Sequence, residues 1–114
     1  MKDLKQICKE EGREDLYEPL SHTIILVPTG RNIDVLTKAN DRFNHSIAAF
    51  AMLYQGDNEQ AVKYFKRVLE LADKSDPRYG HTETIVANID DVARIAKKYW
   101  IERATLETKP ESKK

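Results

Sequence analysis

The sequence predicts an all-α protein, an antiparallel bundle of three long helices preceded by a short N-terminal helix. Apolar side chains recur at helical spacing in three long segments, residues 33–54, 58–73 and 82–105. A tight turn at Gly56 joins the first two segments, so we expect them to pack antiparallel. We therefore expect residues 1–105 to form a single helical domain and residues 106–114 to form a flexible polar tail.

The composition narrows the classes of function. A chain of 114 residues with 40% hydrophobic and 33% charged residues matches a globular domain and not a disordered one. The 19 basic and 19 acidic residues give a formal net charge of zero. Nucleic-acid-binding domains usually carry a basic excess, so the charge balance argues against a general nucleic-acid partner.

Cysteine usage and hydropathy indicate a cytoplasmic protein without a membrane segment. Cys8 is the sole cysteine, which excludes an intramolecular disulfide and a cysteine-based zinc site and fits a reducing compartment. The chain opens with charged residues and lacks the apolar stretch of a signal peptide. The longest apolar run, Ile47 to Tyr54, is too short to span a bilayer.

Lys2 to Glu11 is predicted to form the short N-terminal helix, which Gly12 can end. Its narrow apolar stripe consists of Leu4, Ile7 and Cys8. We interpret Cys8 as a small buried hydrophobe. The alternative interpretation is a reactive thiol, but no histidine or helix N-terminus lies beside it in the local sequence.

The segment at residues 20–27 is ambiguous between helix and strand. Thr23 to Val27 is rich in β-branched residues, which favours a strand. A helical stripe also runs through it, formed by Leu16, Leu20, Ile24 and Val27. A lone strand would need a partner from a second chain, so we favour a short helix that begins at Pro19.

A turn follows at residues 28–32, where Pro28 disfavours helix at the preceding residue and Gly30 permits positive φ. Asn32 is a suitable N-cap for the next helix. Gly30, Arg31 and Asn32 form a candidate anion site, because a helix N-terminus attracts phosphate. The alternative is a turn followed by a cap, since neither phosphate-loop nor dinucleotide-binding glycine motif is present.

The helix predicted over Ile33–Tyr54 has one strongly apolar face. That face consists of Leu36, Phe43, Ile47, Phe50 and Tyr54. His45 projects about 180° away from Leu36 at 100° per residue, so we expect it to be solvated.

The opposite face of the same helix is also apolar in its second half, at Ala48, Ala49 and Met52. A helix that is apolar all round is buried on more than one side. Either it lies at the centre of the bundle, or this back face meets another chain. Ile101 points outward from the last helix, and we group it with these three residues as the predicted partner-binding surface of a homo-oligomer or of a groove for a partner helix.

Capping residues set the bounds of the remaining helices. Gly56 is predicted to end the first long helix in a left-handed conformation, and Asp57 with Gln60 forms a capping box for the second. Residues 74–80 are predicted to be a loop because they contain Pro77 and Gly80. The last helix is expected to run from Thr82, as its N-cap, to about residue 105.

Residues 42–75 resemble a single tetratricopeptide repeat, a helix-turn-helix unit. The match lies in the turn glycine Gly56, the small residue Ala61 and the aromatic Phe65. His45 stands where the repeat usually has an aromatic, and no second repeat is visible. Residues 36–103 also resemble the three-helix MIT (microtubule-interacting and trafficking) domain through helical spacing, with Ile85 to Trp100 as the third helix. Both resemblances imply a protein-binding module.

No motif for catalysis or cofactor binding emerges. His22, His45 and His81 belong to separate predicted elements, so we expect no metal site, and no nucleophile motif is present. The sequence therefore predicts a non-catalytic protein–protein interaction module without a cofactor. The alternative is a small phosphate-, nucleotide- or RNA-binding protein that uses the turn at residues 28–32, with His81 as a further contact.

Overall fold

The computed structural model describes residues 2–23, 32–38 and 41–108, with no side chains described at 105–108. The helices are α1 (Leu4–Glu10), α2 (Tyr17–Thr23), α3 (Ile33–Lys38), α4 (Arg42–Gln55), α5 (Asn58–Leu71), α6 (Pro77–Ala87) and α7 (Ile89–Thr108), with a 3₁₀ turn at Glu14–Leu16. Within these ranges the chain contains no strand, so the predicted all-α class is confirmed. None of the described helices, including the 20-residue α7, has the apolar length needed to cross a membrane.

The hairpin of α4 and α5 forms as the sequence predicts. Gly56 ends α4 in the left-handed conformation, with φ 87°, and its N–H donates to the Leu53 carbonyl at 3.0 Å. The Asp57 carboxylate accepts a hydrogen bond from the Gln60 N–H at 3.1 Å and caps α5. Phe50 and Phe65 lie at similar distances from this turn, and their ring centroids are 5.1 Å apart. The two helices therefore pack antiparallel.

The long helix predicted over residues 33–54 is interrupted, and this prediction was wrong. Asp41 is extended, with φ −134° and ψ 123°, and its carboxylate accepts from the Phe43 N–H at 3.0 Å, so it caps a new helix. Such a break resets the helical phase, so the apolar stripe before it no longer predicts which helix face is buried after it. Phe43 was expected in the core and is instead 62% exposed.

His45 and Tyr54 also differ from their expected positions on α4. His45 is buried at 5% exposure, and its Nδ1 lies 3.0 Å from the Asp41 carbonyl oxygen, so the expectation of a solvated side chain was wrong. The hydrogen bond removes the main cost of burying the ring. Tyr54, expected on the core face, is 40% exposed, although its ring packs 5.6 Å from that of Trp100.

The last helix is likewise two helices. Asn88 breaks it, with φ −124° and ψ 34°, and its side-chain Nδ2 donates to the Thr84 carbonyl at 2.8 Å. Residues 77–80 are not the predicted loop, because α6 begins at Pro77, whose missing N–H is harmless in the first turn. The N-cap is Asp76 and not Thr82, which is buried inside α6. At its far end α7 continues to Thr108, into the predicted tail.

The N-terminal residues 2–23 run antiparallel to α6 and α7. Glu11 forms ion pairs with Arg94 and Lys98, and Arg13 forms one with Asp91. Later residues of the N-terminal segment thus pair with earlier residues of α7, as in an antiparallel arrangement. The Arg13 guanidinium also donates to Asn88 Oδ1 at 2.9 Å. Arg13 follows Gly12, which has φ 71°, so one arginine ties the bend after α1 to the bend between α6 and α7.

The core is shared by all the longer helices and by the N-terminal segment. Its centre is an aromatic cluster in which Phe50 contacts both Phe65 and Trp100 edge-on, at centroid distances of 5.1 and 6.2 Å. Cys8 is fully buried in the same core. Burial raises the pKa of its thiol to about 11, so the prediction of a buried hydrophobe is confirmed.

Candidate functional site

A small cleft opens where four helices meet, and we call it the Phe43 cleft. Its volume is about 90 Å³. The helices α2, α4, α5 and α6 and the C-cap of α5 contribute its lining, which consists of His22, Thr23, Arg42, Phe43, Ser46, Ile47, Val68, Ala72, Arg78 and Thr82. The α4–α5 hairpin supplies the apolar side, and α2 and α6 supply much of the polar side.

The apolar side of the cleft combines a buried floor with an exposed aromatic ring. Ile47 and Val68 are 8% and 7% exposed, so they form a buried apolar floor. Phe43 stands beside them with 62% of its surface in solvent. In protein–protein interfaces, the residues that contribute most to binding commonly lie in well-packed pockets that exclude water.

The polar side contains two arginines held by one carboxylate. Asp76 accepts hydrogen bonds from Arg42 at 2.6 Å and from Arg78 Nη2 at 2.9 Å, and the Asp76 side chain is only 17% exposed. Hydrogen bonds from Arg78, and then from Arg42, hold the pKa of Asp76 well below its ordinary value of 3.8. The cleft therefore presents a fixed cationic edge whose charge is partly neutralised.

We expect Asp76→Asn to lower the free energy of unfolding at neutral pH and to flatten its acid dependence. Asparagine is as good an N-cap as aspartate, so the substitution removes the ion pairs and keeps the cap of α6. Because the folded pKa of Asp76 lies below its unfolded value, its stabilising effect is present above about pH 4 and is lost as pH falls further. Urea unfolding at a series of pH values measures this.

The matched control is Asp90→Asn, which changes an exposed aspartate on the neighbouring helix. We expect this variant to lose less stability at neutral pH than Asp76→Asn does, because substitutions of exposed residues usually have small effects. An Asp76→Asn protein with the stability of the wild type at neutral pH would show that the two arginine contacts contribute nothing to the fold.

Two histidines that are distant in the sequence meet beside the cleft. The packing of α2 against α6 stacks the rings of His22 and His81, with centroids 5.0 Å apart and planes within 2°. The Glu18 carboxylate lies 2.7 Å from His22 Nε2. The two histidines belong to separate helices, as the sequence predicts, but the fold brings them together. The i, i+4 spacing of Glu18 and His22 is visible in the sequence, whereas the contribution of His81 depends on tertiary packing.

The four predicted partner-binding residues occupy different environments. Ala48 and Ala49 have no exposed surface, so they belong to the interior and are not accessible to a partner on the folded surface. Met52 is half-buried and packs against the core. Ile101 is 64% exposed, as predicted from its outward position on the last helix.

The predicted anion site is described only at Asn32. Gly30 and Arg31 lie outside the described residues, as do residues 24–27 of the helix-or-strand segment. The Asn32 side-chain oxygen accepts a hydrogen bond from the Val35 N–H at 3.2 Å, as an N-cap does. The capping role of Asn32 is therefore confirmed, and binding of an anion stays a prediction.

Comparison with known proteins leaves the family resemblances as predictions. No protein-family description, no curated protein and no solved structure matches this chain.

Proposed function

We propose that this protein is a non-catalytic protein–protein interaction module that receives a partner's apolar side chain in the Phe43 cleft. The observation that carries the proposal is Phe43 itself, 62% exposed at the mouth of a cleft with a buried apolar floor. Aromatic residues in such positions contribute disproportionately to protein–protein binding. Most of the surface of this ring contacts water, so the ring contributes little to the core formed by the described residues.

The size of the cleft favours a side chain over a small molecule. Its volume of about 90 Å³ holds a few water molecules or one apolar side chain. Pockets that bind cofactors and drug-sized ligands are usually larger, at about 300–1,000 Å³.

The scaffold we propose is an antiparallel three-helix arrangement of α4, α5 and α7. The complete burial of Ala61 and Phe65 behind the Gly56 turn supports a hairpin like that of a tetratricopeptide repeat. The MIT-like alternative has less support, because the break at Asn88 divides its third helix.

The partner we propose first is a second copy of the chain, which makes the protein a homo-oligomer. Large apolar side chains stand exposed on three separate helices, namely Val35 on α3, Phe43 on α4 and Ile101 on α7. Each copy thus carries both a cleft and apolar side chains able to enter one. A dimer closes where the same patch of both copies meets about a twofold axis, as when the Phe43 ring of each copy packs at the cleft of the other.

Sedimentation velocity over a wide range of protein concentration tests this proposal. We expect the wild type to associate reversibly and Phe43→Ser to raise the dissociation constant by about tenfold or more, as loss of an interface anchor does. Ile101→Ser is the matched comparison, because Ile101 is equally exposed at 64% and lies on another helix. We expect it to have the smaller effect.

A wild-type protein that stays monomeric throughout would contradict self-association. The partner that we would then propose for the Phe43 cleft is a helix from another protein. A displayed library of helical peptides tests that proposal, and the selected peptides should lose binding to Phe43→Ser but not to Ile101→Ser. A library that yields no such peptide would contradict it as well.

The second candidate is a phosphate-, nucleotide- or RNA-binding protein. It gains support from the two arginines that line one cleft. It loses support because Asp76 already engages both guanidinium groups. Thermal-shift measurements with inorganic phosphate, nucleotides and RNA distinguish it, since a ligand that binds the folded state raises its unfolding temperature.

A further inference from the structure

Glu18, His22 and His81 bring three potential metal ligands to one point on the surface. One ligand atom from each, a carboxylate oxygen and two imidazole nitrogens, lies within 4.8 Å of the others. Glu18 and His22 stand four residues apart on α2, and His81 reaches them from α6. The side chains of Glu18 and His22 are 68% and 51% exposed, so an ion can enter from solvent.

The donor set determines which ion fits. Two imidazoles and one carboxylate are typical ligands of zinc and related divalent transition metals, whereas magnesium and calcium prefer oxygen donors alone. Three protein ligands also leave a fourth tetrahedral position open for water or another group.

The distances require only side-chain adjustments. The Glu18 oxygen and His22 Nε2 are 2.7 Å apart, joined by a hydrogen bond. A tetrahedral Zn²⁺ at about 2.1 Å from each donor would set them about 3.4 Å apart. The two rings must also leave their parallel stack, because a zinc ion lies in the plane of each imidazole that binds it. Rotation of the exposed Glu18 and His22 side chains supplies both changes, and the packing of α2 on α6 keeps the three ligands close together.

We propose that Glu18, His22 and His81 form a Zn²⁺ site that clamps α2 to α6. In the absence of metal the same three groups make a hydrogen bond and a ring stack. With Zn²⁺ bound, these contacts become three coordinate bonds between the two helices. The site does not depend on the proposed interaction function, although His22 also lines the Phe43 cleft and places the ion at its edge.

Titration of tag-free, metal-depleted protein with Zn²⁺ tests the site. Isothermal calorimetry should show one ion bound per chain, and Mg²⁺ should not bind. The chain has three histidines, which makes the NMR readout internally controlled. The ring resonances of His22 and His81 should shift together, and those of the buried His45 should stay unchanged.

Variants assign the ligands individually. His22→Ala, His81→Ala and Glu18→Gln should each weaken Zn²⁺ binding by at least about tenfold, since even the loss of a residue that only supports a ligand has an effect of that size. Glu83→Gln is the matched control, an exposed glutamate two residues from His81, and it should bind as the wild type does.

Absence of Zn²⁺ binding to the wild type would overturn the proposal, as would a titration in which His45 shifts with the other two histidines. Unchanged affinity in the His22→Ala, His81→Ala double variant would also overturn it. The wild-type NMR titration stays decisive even where a variant fails to fold.

Discussion

Replacing Phe65 with alanine should destabilise the fold by about 3–5 kcal/mol, the range typical of removing a buried aromatic side chain. Phe65 is 1% exposed and packs edge-on against Phe50, which in turn contacts Trp100. The substitution leaves a cavity at the junction of α4, α5 and α7. Domains are commonly stable by only about 5–15 kcal/mol, so the loss is a large share of the total. Urea unfolding followed by the fluorescence of Trp100, the sole tryptophan, measures it.

Phe43→Ala is the matched control for this experiment. It deletes the same atoms from an aromatic that is 62% exposed, so at protein concentrations too low for association we expect a change within about 0.5 kcal/mol. The helical stripe in the sequence assigns both phenylalanines to the core, whereas the structure separates them. Equal destabilisation by the two substitutions would contradict the break at Asp41 and the exposure of Phe43 that follows from it.

Gly56→Ala should destabilise the protein by about 1–2 kcal/mol, the usual penalty for an L-residue in the left-handed region. Gly56 has φ 87°, and a Cβ there would meet only the end of the Lys97 side chain, at 3.6 Å. The penalty is therefore conformational and not steric. Because this residue reverses the chain between α4 and α5, the strain falls on the hairpin that organises the bundle. Equilibrium unfolding by urea measures the change.

Gly80→Ala makes the same chemical change as Gly56→Ala, but we expect it to stabilise the protein. Gly80 lies inside α6 without positive φ, and an added Cβ would meet nothing within 4 Å. Alanine in a helix is favoured over glycine by about 0.5–1 kcal/mol, so we expect this variant to be more stable than the wild type. A destabilising Gly80→Ala would indicate that residues 77–80 form the loop predicted from the sequence and not the first turn of α6.

The parts of the fold that could be predicted depend on local signals. Gly56 and Asp57 act within their own turn, so the hairpin can be predicted from a few adjacent residues. The breaks at Asp41 and Asn88 were missed because the apolar periodicity continues across them. Each break depends on a side chain that competes for backbone hydrogen bonds, and such competition is decided by tertiary packing.

The candidate site was less accessible to sequence reasoning. The prediction of a surface at Ala48 and Ala49 treated an all-round apolar helix as evidence of a partner, whereas both residues are buried within the chain. Phe43 was placed in the core by extending a stripe through the break at Asp41. The stacking of His22 on His81 joins residues 59 positions apart, and no local pattern predicts such a contact.

We propose that copies of this protein meet through the Phe43 cleft. Amide NMR spectra recorded at increasing protein concentration test it most directly, because they locate the interface as well as detect it. We expect concentration-dependent shifts at cleft residues such as Arg42, Phe43, Ser46 and Thr82. Shifts confined to the surroundings of Ile101 would contradict the claim, and so would spectra that do not change with concentration.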